Sequence, residues 1–217
     1  MAEEPMSAPG APPPAPEAQP PAPPAAPGGW NTPPPETVPG IPGFVFADVP
    51  NRFIALIIDI VILAIINLVV TVVVGAILGP QYDVKVEDNF NVSVTTNFLS
   101  AGVTVVANLA VSAGYWIYTW TAMRGSPGLK VLGMQVGNYP DGASLTQSQA
   151  IRRWVALGGP LPLVQSLNQL PGIGVLIGIG TVAYFLYLVY TTATSPTKQG
   201  FHDKFANSVV VKAARVA

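Results

Sequence analysis

Residues 53–78 read FIALIIDIVILAIINLVVTVVVGAIL, and this stretch decides the fold. Its 26 residues include one charged side chain, Asp59. At about 1.5 Å of rise per residue, a helix of this length crosses a hydrocarbon layer of roughly 30 Å. The stretch therefore predicts a transmembrane helix that carries a single carboxylate.

Three more apolar stretches follow along the chain. Residues 98–123 contain no charge and end in a cluster of Tyr and Trp, which is typical of a membrane interface. Residues 172–194 have the length of a span, whereas residues 155–170 are shorter and contain Pro160 and Pro162. We therefore predict an all-α membrane protein with four transmembrane helices, or three helices and one re-entrant segment, at about 53–78, 98–123, 155–170 and 172–194.

The loop after the first span has the alternation of β-strands. DVKV and VSVT flank the turn-forming residues EDNFN, which predicts a small extramembrane hairpin. After the second span, Ser144 or Thr146 can cap a helix in QSQAIRRW that lies along the cytoplasmic face. Its Arg152 and Arg153 suit a bilayer with anionic headgroups.

Residues 1–45 differ from the rest of the chain. Of the 24 prolines, 17 lie in residues 1–50. Proline removes amide donors and fixes φ, so we expect a disordered arm with polyproline II character ahead of a membrane domain at 46–217. The arm is a spacer or a ligand for a proline-binding groove, and Trp30 and residues 41–46 have the apolar bulk to dock.

The amino-acid composition excludes several classes of function. Charged residues make up 10% of the 217 residues and the net charge is −1, so a basic surface for nucleic acid is excluded. The chain has no Cys and one His, which excludes disulfides, thiolate sites and mechanisms that need two histidines. No catalytic constellation emerges, and we predict neither an enzyme nor a metal or cofactor site.

The basic residues predict the topology. If the chain crosses the membrane an even number of times after Val155, nine of the ten basic residues share one side. That distribution obeys the positive-inside rule and places both termini in the cytoplasm. The Pro/Ala-rich arm is typical of GC-rich bacteria, which favours a bacterial inner membrane.

Asp59 is the key candidate residue. A charge at this depth costs roughly 2.5–3.5 kcal/mol on insertion scales, so the carboxyl group must be protonated, hydrated or paired. Arg152, Arg153 and Lys204 are the candidate partners. Two interpretations remain: a proton or cation site, or a structural clamp at the cytoplasmic helix ends. The complete polar cluster consists of Arg52, Asp59, Arg152, Arg153, Asp203 and Lys204.

Other polar and small residues lie within the spans. Asn67 and Asn108 can form interhelical hydrogen bonds or coordinate an ion. Gly75 and Gly79, and also Gly174 and Gly178, have the spacing that permits close helix packing, within the bundle or against a partner subunit.

Three features together resemble the RDD family of small integral membrane proteins. They are Arg52-x6-Asp59, the stretch GSPGLKVLGMQV at 125–136, and FHDKFANSVVV at 201–211. In the middle motif, Leu129 follows Gly128 where the family usually has Lys. The resemblance implies that Arg52, Asp59 and Asp203 are the residues that give the family its name, and it implies a role in a transport system or in ion exchange.

Three functions fit these observations. The first is an accessory or stabilising subunit of a membrane transport assembly, with membrane-protein partner subunits. The second is a homo-oligomeric carrier that couples a proton to a cation through Asp59. The third is a membrane-tethered adaptor that presents the proline-rich arm.

Overall fold

The structure is a computed structural model, and it describes residues 37–86, 91–165 and 173–214. Several predictions fall outside these ranges. They are the structure of the arm up to residue 36 with Trp30, the turn at 87–90, and residues 166–172, which include the end of the third predicted span and the start of the fourth.

Three long helices match three of the predicted spans. They are α1 (Val49–Leu78), α2 (Phe98–Thr121) and α6 (Ile173–Thr194), and each is long and apolar enough to cross a membrane. Helix α1 begins before the predicted boundary because the Asp48 side chain accepts a hydrogen bond from the Asn51 N–H and caps the helix. A bundle of four long helices is not confirmed.

The third predicted span does not form one helix. Val155 belongs to the last turn of α4 (Gln147–Leu157), and a separate short helix, α5, spans Leu161–Gln165. Gly158 ends α4 in the left-handed region with φ 100°, and Pro160 cannot continue a helix. Thr146 caps α4 in a reciprocal pair with Gln149, so the predicted helix in QSQAIRRW is confirmed and Thr146 is its cap.

Strands form two separate sheets in the described residues. The predicted hairpin is confirmed, because β2 (Tyr82–Val86) pairs antiparallel with β3 (Val92–Thr96). A three-stranded sheet was not predicted, and it corrects the all-α assignment. It contains β1 (Phe44–Phe46), β4 (Met134–Asn138) and β5 (Ser208–Ala213) in the antiparallel order β1-β5-β4.

The three-stranded sheet joins segments that are distant in sequence. Its central strand β5, after α6, pairs on one side with β1, before α1, and on the other side with β4, after α2. The polypeptide therefore returns to one sheet twice. Two short helices lie beside it, α3 (Pro127–Val131) and α7 (Phe201–Phe205).

The sheet buries residues on both faces. Val210 packs with Met134, Val136 and Trp120 in the main core. On the other face, Val209 and Val211 pack against the buried side chains of Val38 and Ile41. Residues 37–45, which we predicted as the end of a disordered arm, are therefore held on the sheet, and the predicted docking of residues 41–46 is confirmed.

Candidate functional site

A buried ion cluster connects three helices. The Asp203 carboxylate, on α7, is fully buried between the guanidinium groups of Arg52 and Arg153. Arg153 Nη2 lies 2.8 Å from Asp203 Oδ1, and Arg52 Nη2 donates to Oδ2. Arg52 also donates to the carbonyl oxygen of Lys198. The cluster therefore ties α1 and α4 to α7.

Neighbouring groups fix the orientation of the ion cluster. Arg153 Nη1 donates to the Ser208 hydroxyl at 3.1 Å, and its guanidinium lies 4.8 Å from the Trp120 ring centre. The Gly200 N–H donates to Asp203 Oδ2 at 3.3 Å. With these contacts, each charge in the cluster has both an opposite charge and a second polar or aromatic neighbour.

Burial and charge set the protonation states in the cluster. Burial alone would raise the pKa of Asp203, but Arg153 and Arg52 hold that pKa well below its usual range. Burial lowers the pKa of Arg153 to about 10, against the opposing effect of Asp203. Burial also lowers the pKa of His202 to about 4, although Asp203 lies 3.5 Å from its Nε2. At neutral pH the cluster holds two guanidinium ions, one carboxylate and a neutral imidazole.

Asp59 has a different environment from the one predicted. It is 1% exposed and accepts hydrogen bonds from the Tyr115 hydroxyl at 2.7 Å, the Gly128 N–H at 2.8 Å and the Ser126 hydroxyl. These contacts join α1 to α2 and to the start of α3.

The expectation that a basic side chain pairs with Asp59 is wrong within the described residues. Arg153 pairs with Asp203 instead, while Arg152 and Lys204 are exposed. Three hydrogen-bond donors replace an ion pair, because a carboxylate that accepts several hydrogen bonds can be buried without an adjacent cation.

Gly128 permits the close approach at Asp59. A Cβ atom on Gly128 would lie 2.1 Å from the Ala55 carbonyl oxygen and 2.9 Å from Asp59 Oδ2. Ser126 also serves as the N-cap of α3. The predicted Gly-Lys-like motif thus acts here through Ser126 and the backbone of Gly128.

The other predicted intramembrane groups have few contacts. The Oδ1 atoms of Asn67 and Asn108 are buried and have no hydrogen-bond partner among the described residues. Asn67 lies eight residues after Asp59 and Asn108 lies seven before Tyr115, so the two amides occupy the same level of the α1–α2 pair. Both interpretations of these amides, helix contact and ion coordination, stay predictions.

Gly75 and Gly178 do not pack against other helices of the described chain. A Cβ atom on Gly75 or Gly178 would meet nothing within 4 Å, and Gly79 lies beyond the end of α1 with φ 86°. Close packing within the bundle is therefore wrong for Gly75 and Gly178. Packing of these residues and of the half-buried Gly174 against a partner subunit stays a prediction.

A cavity of about 440 Å³ lies beside both polar groups. Its walls are mainly apolar and come from α1, α2, α4, α6 and α7. Its polar lining includes Arg52, Asp59, Arg153 and His202. Apolar cavities with a few convergent polar groups are the usual form of a ligand site in proteins.

Sequence reasoning missed several residues of these sites. Tyr115 was assigned to an interfacial belt, yet its hydroxyl binds Asp59. His202 entered the sequence analysis only within the segment FHDKFANSVVV and without a role of its own, yet it is 8% exposed and lines the cavity. The one available signal for Ser126 was its place in the motif at 125–136, two residues before Gly128, which packs on α1.

Three long apolar helices, of which α1 is tied to α4 and α7 by buried charges, fit an integral membrane protein. The family model described as "RDD family" matches residues 46–207, and the chain belongs to this family. Searches of curated proteins and of solved structures found no match.

Proposed function

We propose that this protein is an accessory or stabilising subunit of a membrane transport assembly. One observation carries the proposal: the long helices leave most of their surface uncovered. In the most apolar 18-residue window of α1, α2 and α6, only 17%, 11% and 6% of the residues are buried. Helix α6 packs only sparsely against α1. Lipid alone can cover such surfaces, but small residues such as Gly178 on an open helix face favour a protein partner.

The contacts of the polar groups support a structural role for the motif residues of this chain. Asp203 is paired with both Arg52 and Arg153, and Asp59 is held by three donors. These contacts connect α1, α2, α3, α4 and α7 near the three-stranded sheet. Such an arrangement stabilises a helix scaffold and requires neither catalysis nor a cofactor.

We also propose a bacterial inner membrane with both chain ends in the cytoplasm. The pairing of β1 with β5 supports placement of both ends on one side. The exposed side chains of Lys130, Arg152 and Lys204 support contact with anionic headgroups on that side. Each such contact contributes about 1 kcal/mol.

The test of the accessory role is crosslinking in the native membrane, followed by mass-spectrometric identification of the attached chains. A photoreactive residue at position 178 on α6 should capture one or a few specific membrane proteins. The matched control is a photoreactive residue at 209, which is buried in the sheet. Capture of only lipid from position 178 would contradict the proposal.

A carrier function for Asp59 is the second candidate, because this carboxylate lines the cavity. It predicts proton-coupled cation flux in liposomes that contain only the purified chain. Asp59→Asn should abolish that flux without changing the amount of folded protein. Flux that is unchanged by the substitution would exclude the carrier.

A further inference from the structure

The cavity beside Asp59 has an apolar rim. Phe53 and Ile60 on α1 and Val182, Leu186 and Val189 on α6 line the cavity, and all five are exposed. Both helices are candidate spans, so this rim faces the hydrocarbon layer when the helices cross a membrane. A molecule can therefore enter between α1 and α6 directly from the bilayer.

The inner walls carry buried nitrogen atoms without hydrogen-bond partners. Trp120 Nε1, Arg153 Nε and His202 Nδ1 are buried and have no partner among the residues that the structure describes. The three side chains all line the cavity, and the residues are 1%, 4% and 8% exposed. The Trp and Arg nitrogens can only donate. Because an unpaired buried donor destabilises the protein, an acceptor at this end of the cavity is favourable.

The carboxylates near the cavity already have partners. Asp59 accepts hydrogen bonds from Tyr115, Ser126 and Gly128, and Asp203 lies between two guanidinium groups. An additional acceptor must therefore come from outside the described chain. The guanidinium groups also favour an acceptor that carries negative charge.

We propose that the cavity binds one membrane phospholipid, with an acyl chain between α1 and α6 and its ester and phosphate oxygens at Trp120 and Arg153. Arg52 lies near the start of α1 and Trp120 near the end of α2, which is the level of headgroups for helices that span a bilayer. This site goes beyond the accessory role, because it involves lipid and the isolated chain alone.

The test is native mass spectrometry of the full chain extracted from its membrane in a mild detergent. The wild-type chain should retain one phospholipid. Val189→Phe narrows the rim and should lower the lipid-bound fraction about tenfold. Val175→Phe is the matched control, because Val175 is an exposed residue of the same helix that does not line the cavity.

A second pair of variants tests the donor. Trp120→Phe keeps an aromatic side chain but removes the unpaired N–H, so it should lower phospholipid retention. The smaller ring should also lower the melting temperature, because Trp120 is buried in the main core. Trp154→Phe is its control. The Trp154 N–H donates to Ser112 at 3.2 Å outside the cavity, so this variant should retain lipid and lose stability.

Three results would overturn the proposal. One is an equal phospholipid fraction in folded Val189→Phe and Val175→Phe, with folding checked by circular dichroism. Another is a wild-type chain that carries only detergent or free fatty acid. The third is equal lipid retention in Trp120→Phe and Trp154→Phe, which decides the question if Val189→Phe does not fold. Loss of a crosslinked protein partner is a separate result and bears on the accessory role alone.

Discussion

Arg153 Nη2 lies 2.8 Å from Asp203 Oδ1, and the two side chains are 5% and 0% exposed. The pair joins α4 to α7, and Arg52 extends the same connection to α1. Removing one partner of a buried ion pair leaves an uncompensated charge, which costs far more than the pair contributes as a unit. This cluster therefore makes the packing of three helices depend on each of its members.

Asp203→Asn should destabilise the protein strongly. The substitution leaves two buried guanidinium groups without a counter-ion, and we expect a loss of about 3–5 kcal/mol in the free energy of unfolding. Denaturant titration in detergent micelles measures this loss. The matched control is Asp83→Asn, because Asp83 pairs with Lys85 at 3.7 Å while the two side chains are 61% and 70% exposed. That control should cost about 0–1 kcal/mol, and a similar loss in both variants would contradict the prediction.

Acid should destabilise the protein through His202. Its pKa is about 4 in the folded chain against 6.5 for an ordinary histidine, so the unfolded state binds the proton more readily. The neutral imidazole makes its full contribution to the free energy of unfolding above about pH 6.5. This contribution is lost as the pH falls toward 4. Arg52, Arg153 and Asp203 are the charged groups that act on this imidazole. The total loss is on the order of 3 kcal/mol.

The control for this pH dependence is His202→Gln, which cannot titrate. The melting temperature of this variant should be lower than that of the wild type at pH 7. It should also change less than that of the wild type between pH 6.5 and 4.5. If the wild-type melting temperature rises as the pH falls through that range, His202 is not the cause of acid destabilisation. Asp203 does not confound the result, because its lowered pKa moves its own contribution below about pH 4.

The local features of the fold were predictable from the sequence. Long apolar stretches with at most one charge predict α1, α2 and α6, since composition and length are local properties. The same holds for the β2–β3 hairpin and for the Thr146 cap. The grouping of Arg52, an arginine from 152–153, and Asp203 was also predicted, because these residues lie at the ends of stretches that must meet at one face.

The remaining features depend on contacts between distant residues. The three-stranded sheet pairs Phe44 with Ala213 and Met134 with Lys212, and no local pattern fixes such partners. For the same reason, Asp59 was expected to meet a cation, whereas Ser126 and the Gly128 backbone reach it first. Favourable helix propensity could not predict that α4 ends at Leu157, since the left-handed conformation at Gly158 ends the helix.

Asp59→Asn should reduce the amount of folded protein. The asparagine side chain has an NH₂ group in place of one carboxylate oxygen, and this group cannot accept a hydrogen bond from Tyr115, Ser126 or Gly128. Tyr115→Phe removes one of the three hydrogen bonds and should cost about 1–2 kcal/mol, less than Asp59→Asn. The free energy of unfolding in micelles compares the two variants. Equal stability of Asp59→Asn and the wild type would favour the carrier over the structural role.

Gly128→Ala should prevent the normal packing of α3 on α1. The added methyl group would lie 2.1 Å from the Ala55 carbonyl oxygen, and backbone cannot move aside as the end of a flexible side chain can. We expect a loss of at least about 1–3 kcal/mol in the free energy of unfolding, together with weaker hydrogen bonding to Asp59.

Gly178→Ala provides the matched comparison in α6. A methyl group there meets nothing within 4 Å, and alanine is favoured over glycine in a helix by about 1 kcal/mol. The purified chain should therefore be as stable as the wild type or slightly more so. If a partner subunit packs on this face, the same substitution should weaken co-purification of that partner, while Gly128→Ala lowers the stability of the chain itself. If Gly178→Ala instead destabilises the isolated chain, this helix face is covered by the chain's own residues.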